Sequence, residues 1–163
     1  MVKKTGGIIV VILGERGLSG LVKYALDLML LVVMIVLLTL PITVRMYFDA
    51  YVWTAGDNYY WFLLVFLWVS GLLYIGIVYE LRKMFKSLNQ REPFRRENVA
   101  SLKKIAVLAL WITAIYVIKI VFYISLLTII IAMAALSVGL FALIIGEVFR
   151  QAVEVKEEND LTI

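Results

Sequence analysis

Glu80-Leu-Arg-Lys-Met-Phe-Lys-Ser-Leu-Asn-Gln-Arg-Glu-Pro-Phe-Arg-Arg-Glu-Asn-Val-Ala-Ser-Leu-Lys-Lys104 is the stretch that decides the architecture. It holds 8 of the chain's 16 Lys and Arg residues, and Pro93, one of only two prolines. On either side the sequence turns apolar in runs of about 20 residues. At about 1.5 Å per helical residue, such runs cross the ~30 Å hydrocarbon core of a bilayer. Hydrophobic residues make up 64% of the 163, and the mean hydropathy is +0.99; a soluble domain is closer to half apolar. The chain therefore reads as an all-α integral membrane protein, a four-helix bundle with a cytoplasmic helical hairpin between spans two and three.

The spans fall at about 24–41, 60–79, 105–123 and 127–149, with the hairpin at 80–104. Residues 1–23 are an N-terminal segment in which Ile8–Leu13 either lies at the interface or is disordered. Residues 150–163 are an acidic tail. Pro41 marks the far end of span one. Residues 42–59 form a loop rich in aromatics (Tyr47, Phe48, Tyr51, Trp53, Tyr59) with a turn signal at Gly56-Asp57-Asn58. The aromatics make an interfacial belt or, alternatively, a ligand pocket. Beyond span two, Leu81, Met84, Phe85 and Leu88 keep helical spacing among Arg82, Lys83 and Lys86. Pro93 biases Glu92 away from helix, and a new helix starts near Phe94–Arg95 and runs through Val99, Leu102 and Ile105. Residues 105–148 are too long for one crossing and right for two, which places a tight turn near Tyr123–Ser125.

Lys and Arg favour the cytoplasmic side of a membrane. The N-terminal segment, hairpin and tail carry 14 of the 16, Arg45 stands alone in the loop, and Lys119 lies within span three. Both termini and the hairpin are thus expected in the cytoplasm, with the chain in the cell (plasma) membrane.

There is no Cys and no His, which excludes disulfides, thiol nucleophiles, thiolate metal sites and imidazole catalysis. No phosphate loop, zinc-protease or serine-hydrolase motif is present. No catalytic, cofactor-binding or metal-ligating residue is expected, and the chain is not read as an enzyme. Its few membrane-embedded charges are at the span ends. Asp27, Glu80 and Glu147 lie at the inner ends of spans one, two and four, near Lys23, Arg82, Lys83 and Arg150. They form either a ring of charge-assisted bonds at the cytoplasmic mouth or ordinary helix-end charges. Lys119, ~21 Å along the helix from Ile105, either snorkels to the far interface or has a specific role, with Asp49 and Asp57 as candidate partners.

Span four carries a seam of small residues, Thr128, Ala132, Ala135, Gly139, Ala142 and Gly146, at alternating steps of four and three. Ala135/Gly139 and Ala142/Gly146 are small-x-x-x-small pairs. In lipid, close backbone approach through such residues supplies much of the association energy. The seam faces either another helix of the bundle or a second copy in a homo-oligomer. Span three has a shorter stripe of Ala106, Ala109 and Thr113.

The candidate binding surface is Arg82, Lys83, Lys86, Arg91, Phe94, Arg95 and Arg96. Anionic headgroups at the cytoplasmic face are one partner. A cytoplasmic protein is the other, with Met84, Phe85, Leu88 and Phe94 as the apolar hot spot. Direct nucleic-acid binding is not expected. The tail acids Glu154, Glu157, Glu158 and Asp160 are either solvated or docked on the hairpin. A regulatory or scaffolding protein is the first reading. The alternative is a small transporter, channel or transport accessory subunit, although polar groups do not run through the whole membrane thickness.

Glu80-Leu-Arg-Lys, Ser87-Leu, Pro93-Phe94, Glu97-Asn98-Val99, Leu102 and Ile105, followed by Glu147-Val-Phe-Arg150 and Glu158-Asn-Asp-Leu-Thr-Ile163, resemble the bacterial and archaeal family called domain of unknown function 2975. The resemblance covers nearly the whole chain and is specific in the hairpin and tail. Arg91 stands where the family often has glycine, and glycine is also frequent near Ala152. The resemblance implies a small four-span membrane protein with no established enzymatic activity. Members are frequently encoded beside a small helix-turn-helix regulator, which implies a role in holding or sensing through a cytoplasmic transcription factor.

Overall fold

The computed structural model describes residues 18–51, 57–89 and 94–161. The expectations placed on Ile8–Leu13, Trp53, Gly56 and Arg91 lie outside the described residues. Four helices account for almost all of the rest: α1 (Leu18–Tyr51), α2 (Asp57–Asn89), α3 (Arg96–Phe122) and α4 (Leu126–Leu161). Each is long and apolar enough to cross a membrane. Helices are the expected solution, because a bilayer offers no water to satisfy backbone N–H and C=O groups. Their lengths of about 40 to 54 Å exceed the hydrocarbon thickness, so each has room to project beyond it.

Neighbours in sequence pack as neighbours in space: α1 on α2, α2 on α3, α3 on α4. One apolar core joins α1 to α2 through Leu37, Leu40, Val44, Phe48 and Leu64. A second joins α2, α3 and α4 through Ile77, Met84, Leu102, Ile105, Ala106, Ala109, Ile112 and Ala142. The many large apolar side chains left exposed, such as Leu28, Leu38, Phe141 and Ile144, are those of a chain whose outer surface meets lipid.

Span one does not end at Pro41. α1 passes through it to Tyr51, so residues 42–51 are helix rather than loop. Proline deprives the preceding turn of one N–H donor. The polar groups nearby rearrange around it: Thr43 Oγ1 donates to the Thr39 carbonyl (3.0 Å), Thr39 Oγ1 donates to Ile35 and Val36, and the Tyr60 hydroxyl donates to the Pro41 carbonyl (3.3 Å). Ending the helix there would free several backbone groups in lipid, whereas continuing it costs one hydrogen bond. The extra turns carry Phe48 against Tyr59 and Tyr60 (ring centroids 5.4 and 5.8 Å), and Tyr59 meets Tyr123 at 4.2 Å. The aromatics thus gather at one end of the bundle.

The turn between α3 and α4 falls at Tyr123–Ser125. It needs no glycine because Tyr123 is extended (φ −143°, ψ 97°) and its N–H returns to the Lys119 carbonyl at 2.8 Å. The small-residue seam of α4 lies along α3. Thr128, Ala132 and Ala142 are buried. A Cβ on Gly139 would sit 3.3 Å from Leu110 and 3.5 Å from the Ala106 carbonyl oxygen, and one on Gly146 would touch the Leu102 Cβ at 3.4 Å. The seam therefore packs on α3 within the chain.

The acidic tail is the end of α4. The helix continues unbroken past Arg150 to Leu161, because its apolar face continues with buried Val153 and Arg150 bonds both Glu147 and Glu154 at helical spacing.

Candidate functional site

The end of the bundle that carries the basic hairpin is built from the last turns of α2, the first turns of α3 and the extension of α4. Apolar spacing aims Met84 inward, where it is buried in the core with Leu102 and Ile105. Phe94, just ahead of α3, packs on Phe149 of α4 (ring centroids 5.5 Å) and remains 43% exposed. Of the stripe expected as a partner's hot spot, Met84 thus serves the core, Phe85 is half-buried, and part of Phe94 is left at the surface; the side chain of Leu88 lies outside the described residues.

Polar ties link each helix to the next. Arg82 of α2 forms a salt bridge with Asp27 of α1. Glu80 of α2 accepts a hydrogen bond from Ser101 of α3 (2.7 Å) and pairs with Lys104 (3.2 Å). Asn98 of α3 donates to Ser87 of α2 (2.6 Å). Arg96 of α3 clasps Glu157 of α4 with two bonds, 2.8 and 2.6 Å, the two-pronged geometry that guanidinium and carboxylate favour. Glu157 lies past the apolar run of α4, which gives way to charged residues from Glu147 onward, and the Arg96 guanidinium holds its carboxyl below the ordinary carboxylate range. The tail therefore docks on the hairpin.

Asp27, Glu80 and Glu147 do not close into one ring. The first two tie adjacent helices, whereas Glu147 pairs with Arg150 on its own helix. Lys83, Lys86 and Arg95 are exposed. Two adjoining depressions of about 290 Å³ each run between the start of α3 and the extension of α4. Phe94, Arg95, Arg96, Glu97, Lys156 and Glu157 line one, and Lys103, Arg150 and Glu154 help line the other.

A family model described as a protein of unknown function, DUF2975, matches residues 28–163. The chain belongs to the DUF2975 family. It is also similar to an uncharacterized membrane protein, YoaS, of Bacillus subtilis (strain 168), at 24% identity over 110 residues, covering 61% of this chain and 69% of the relative. No solved structure matches.

Four residues of this DUF2975 chain join the site beyond the site residues expected from the sequence: Ser87, Asn98, Ser101 and Lys104. Ser87 and Asn98 fall within the stretches that carry the family resemblance, and Asn98 and Ser101 share a helical face with Leu102 and Ile105, a position that signals burial. At the opposite end, Lys119 donates to Thr128 of α4 (2.9 Å) and lies 5.1 Å from the ring centroid of Phe66. It thus bonds Thr128 rather than Asp49; the side chain of Asp57 lies outside the described residues. Among the described residues, no group of three or more His, Cys, Asp or Glu side chains could hold a metal.

Proposed function

We propose that this DUF2975 protein holds a cytoplasmic protein at the plasma membrane, using the ends of α2, α3 and α4 as a rigid docking platform. The observation that carries this reading is the packed extension of three helices, crossed by Glu80–Ser101, Ser87–Asn98 and Arg96–Glu157, at the most basic end of the chain. A fixed shape supports specific recognition, because less side-chain and backbone freedom is lost on binding. Exposed Lys83, Lys86 and Lys156 supply positive charge around it, which suits an acidic protein surface and anionic headgroups alike. The partner class implied by the family resemblance is a small helix-turn-helix regulator.

Reversing Lys83, Lys86 and Lys156 to Glu touches none of the ion pairs that tie the helices among the described residues. This triple variant is expected to weaken capture of the regulator by about tenfold or more in a pull-down from solubilised membranes. Unchanged recovery, with insertion confirmed, refutes the reading.

The orientation follows from the Lys and Arg bias and has its own test. The chain has no cysteine, so single introduced cysteines report cleanly. Lys86→Cys and Lys156→Cys should resist a membrane-impermeant maleimide in intact cells, while Tyr47→Cys should label. The reverse pattern would place the platform outside.

A further inference from the structure

A lateral groove of about 490 Å³ lies between α2 and α3 at the end of the bundle opposite the hairpin. Trp61, Phe62, Val65 and Phe66 line it from α2, and Ile118 and Lys119 from α3. Its walls are aromatic and aliphatic, and its size falls within the range of small-ligand sites. Trp61, Val65 and Ile118 are each more than half exposed, so the groove opens onto the same apolar faces that lipid tails cover. An occupant reaches it from the bilayer.

Lys119 is the one charged side chain of that lining. It sits one turn before the end of α3 at Phe122, close to the level where the chain turns into α4. It does not extend freely toward water: the hydroxyl of nearly buried Thr128 and the ring of Phe66 hold the ammonium between the helices. An ammonium has three donors, and Thr128 takes one. Among the described residues, no carboxylate pairs with it. A cation in such a setting is costly without an anion, and the groove beside it accepts hydrocarbon.

We infer that this groove seats an acyl chain of an anionic phospholipid, with the lipid phosphate on the Lys119 ammonium. Among the described residues no acidic side chain lines the groove, so the amine of a zwitterionic headgroup finds no counter-ion among them.

The test uses the full chain in vesicles, with Trp61 as reporter and the other three tryptophans replaced by Phe. Quenching by brominated-tail phosphatidylglycerol is compared with quenching by brominated-tail phosphatidylcholine. A second chain, with all four tryptophans replaced by Phe and Ile130→Trp on the exposed face of α4, reports ordinary lipid contact. The anionic lipid should be preferred about fivefold at Trp61, the size expected for one basic side chain near a membrane surface, with little or no preference at position 130. Lys119→Gln should reduce the Trp61 preference to the level at position 130, and Lys119→Arg should keep it. Equal preference at the two reporters overturns the inference, as does a preference that survives Lys119→Gln. The comparison of the two reporters needs no change at Lys119, so it decides even where the Gln variant fails to fold.

Discussion

Gly139→Leu is expected to destabilise the bundle by about 1–3 kcal/mol, the usual cost of forcing added side-chain volume into a close-packed contact. The reason is the distance between α3 and α4. A Cβ at position 139 already lies 3.3 Å from Leu110 and 3.5 Å from the carbonyl oxygen of Ala106, which is itself fully buried. A side chain can swing away from an intruder, but a backbone carbonyl in a helix cannot, so the helices must part. Parting them loosens the contacts of Ala142 and Gly146 along the same seam, and lipid provides no hydrophobic drive to restore them. Gly139→Ala is the control. Its methyl meets mainly the flexible end of Leu110, and alanine is the better helix former by about 1 kcal/mol, so its stability should stay near wild type. Equilibrium unfolding in mixed detergent reads both. A leucine variant as stable as the parent would mean that α3 and α4 are not held at this spacing.

That seam was the most legible tertiary feature of the sequence, because small residues at steps of three and four define a face and the membrane gives such faces a single use. The spans were legible for a similar reason, since long apolar runs have few alternatives in water or lipid. The span ends were not. Pro41 reads as a terminator under rules for water, where freed carbonyls find solvent; in an apolar setting the helix continues to Tyr51. The acidic tail reads as either solvated or docked, because its charges suit water and the basic hairpin alike; Val153 and the Arg96–Glu157 clasp keep it helical and docked. The candidate site was legible as a charged region but not as a set of pairs. Arg82 and Arg96, read as partner-binding residues, have internal carboxylate partners in Asp27 and Glu157. Which basic residue faces inward depends on how the helices rotate against one another, and local spacing does not carry that information.

Glu80→Leu is expected to destabilise the hairpin end by about 1–3 kcal/mol, through the groups it strands rather than the volume it changes. Glu80 is 7% exposed and Ser101 only 1%. With the carboxylate gone, the Ser101 hydroxyl loses its acceptor in a place water does not easily reach, whereas Lys104, 63% exposed, simply rehydrates. Glu80→Gln keeps an acceptor for Ser101 and should cost less. Pairing Glu80→Leu with Ser101→Ala removes both partners, and that double variant should recover most of the loss, because an apolar contact needs no partner. Additive losses in the double variant would rule out a direct energetic link between the two side chains. The same double variant separates stability from shape. Buried polar pairs accept only one register, while apolar replacements tolerate several. Hydrogen exchange across residues 80–104 should therefore remain faster in the double variant than in the parent, even where its unfolding midpoint is nearly restored. A platform whose register has loosened in this way should also capture its partner less well, which ties the polar pairs to function through geometry rather than through charge.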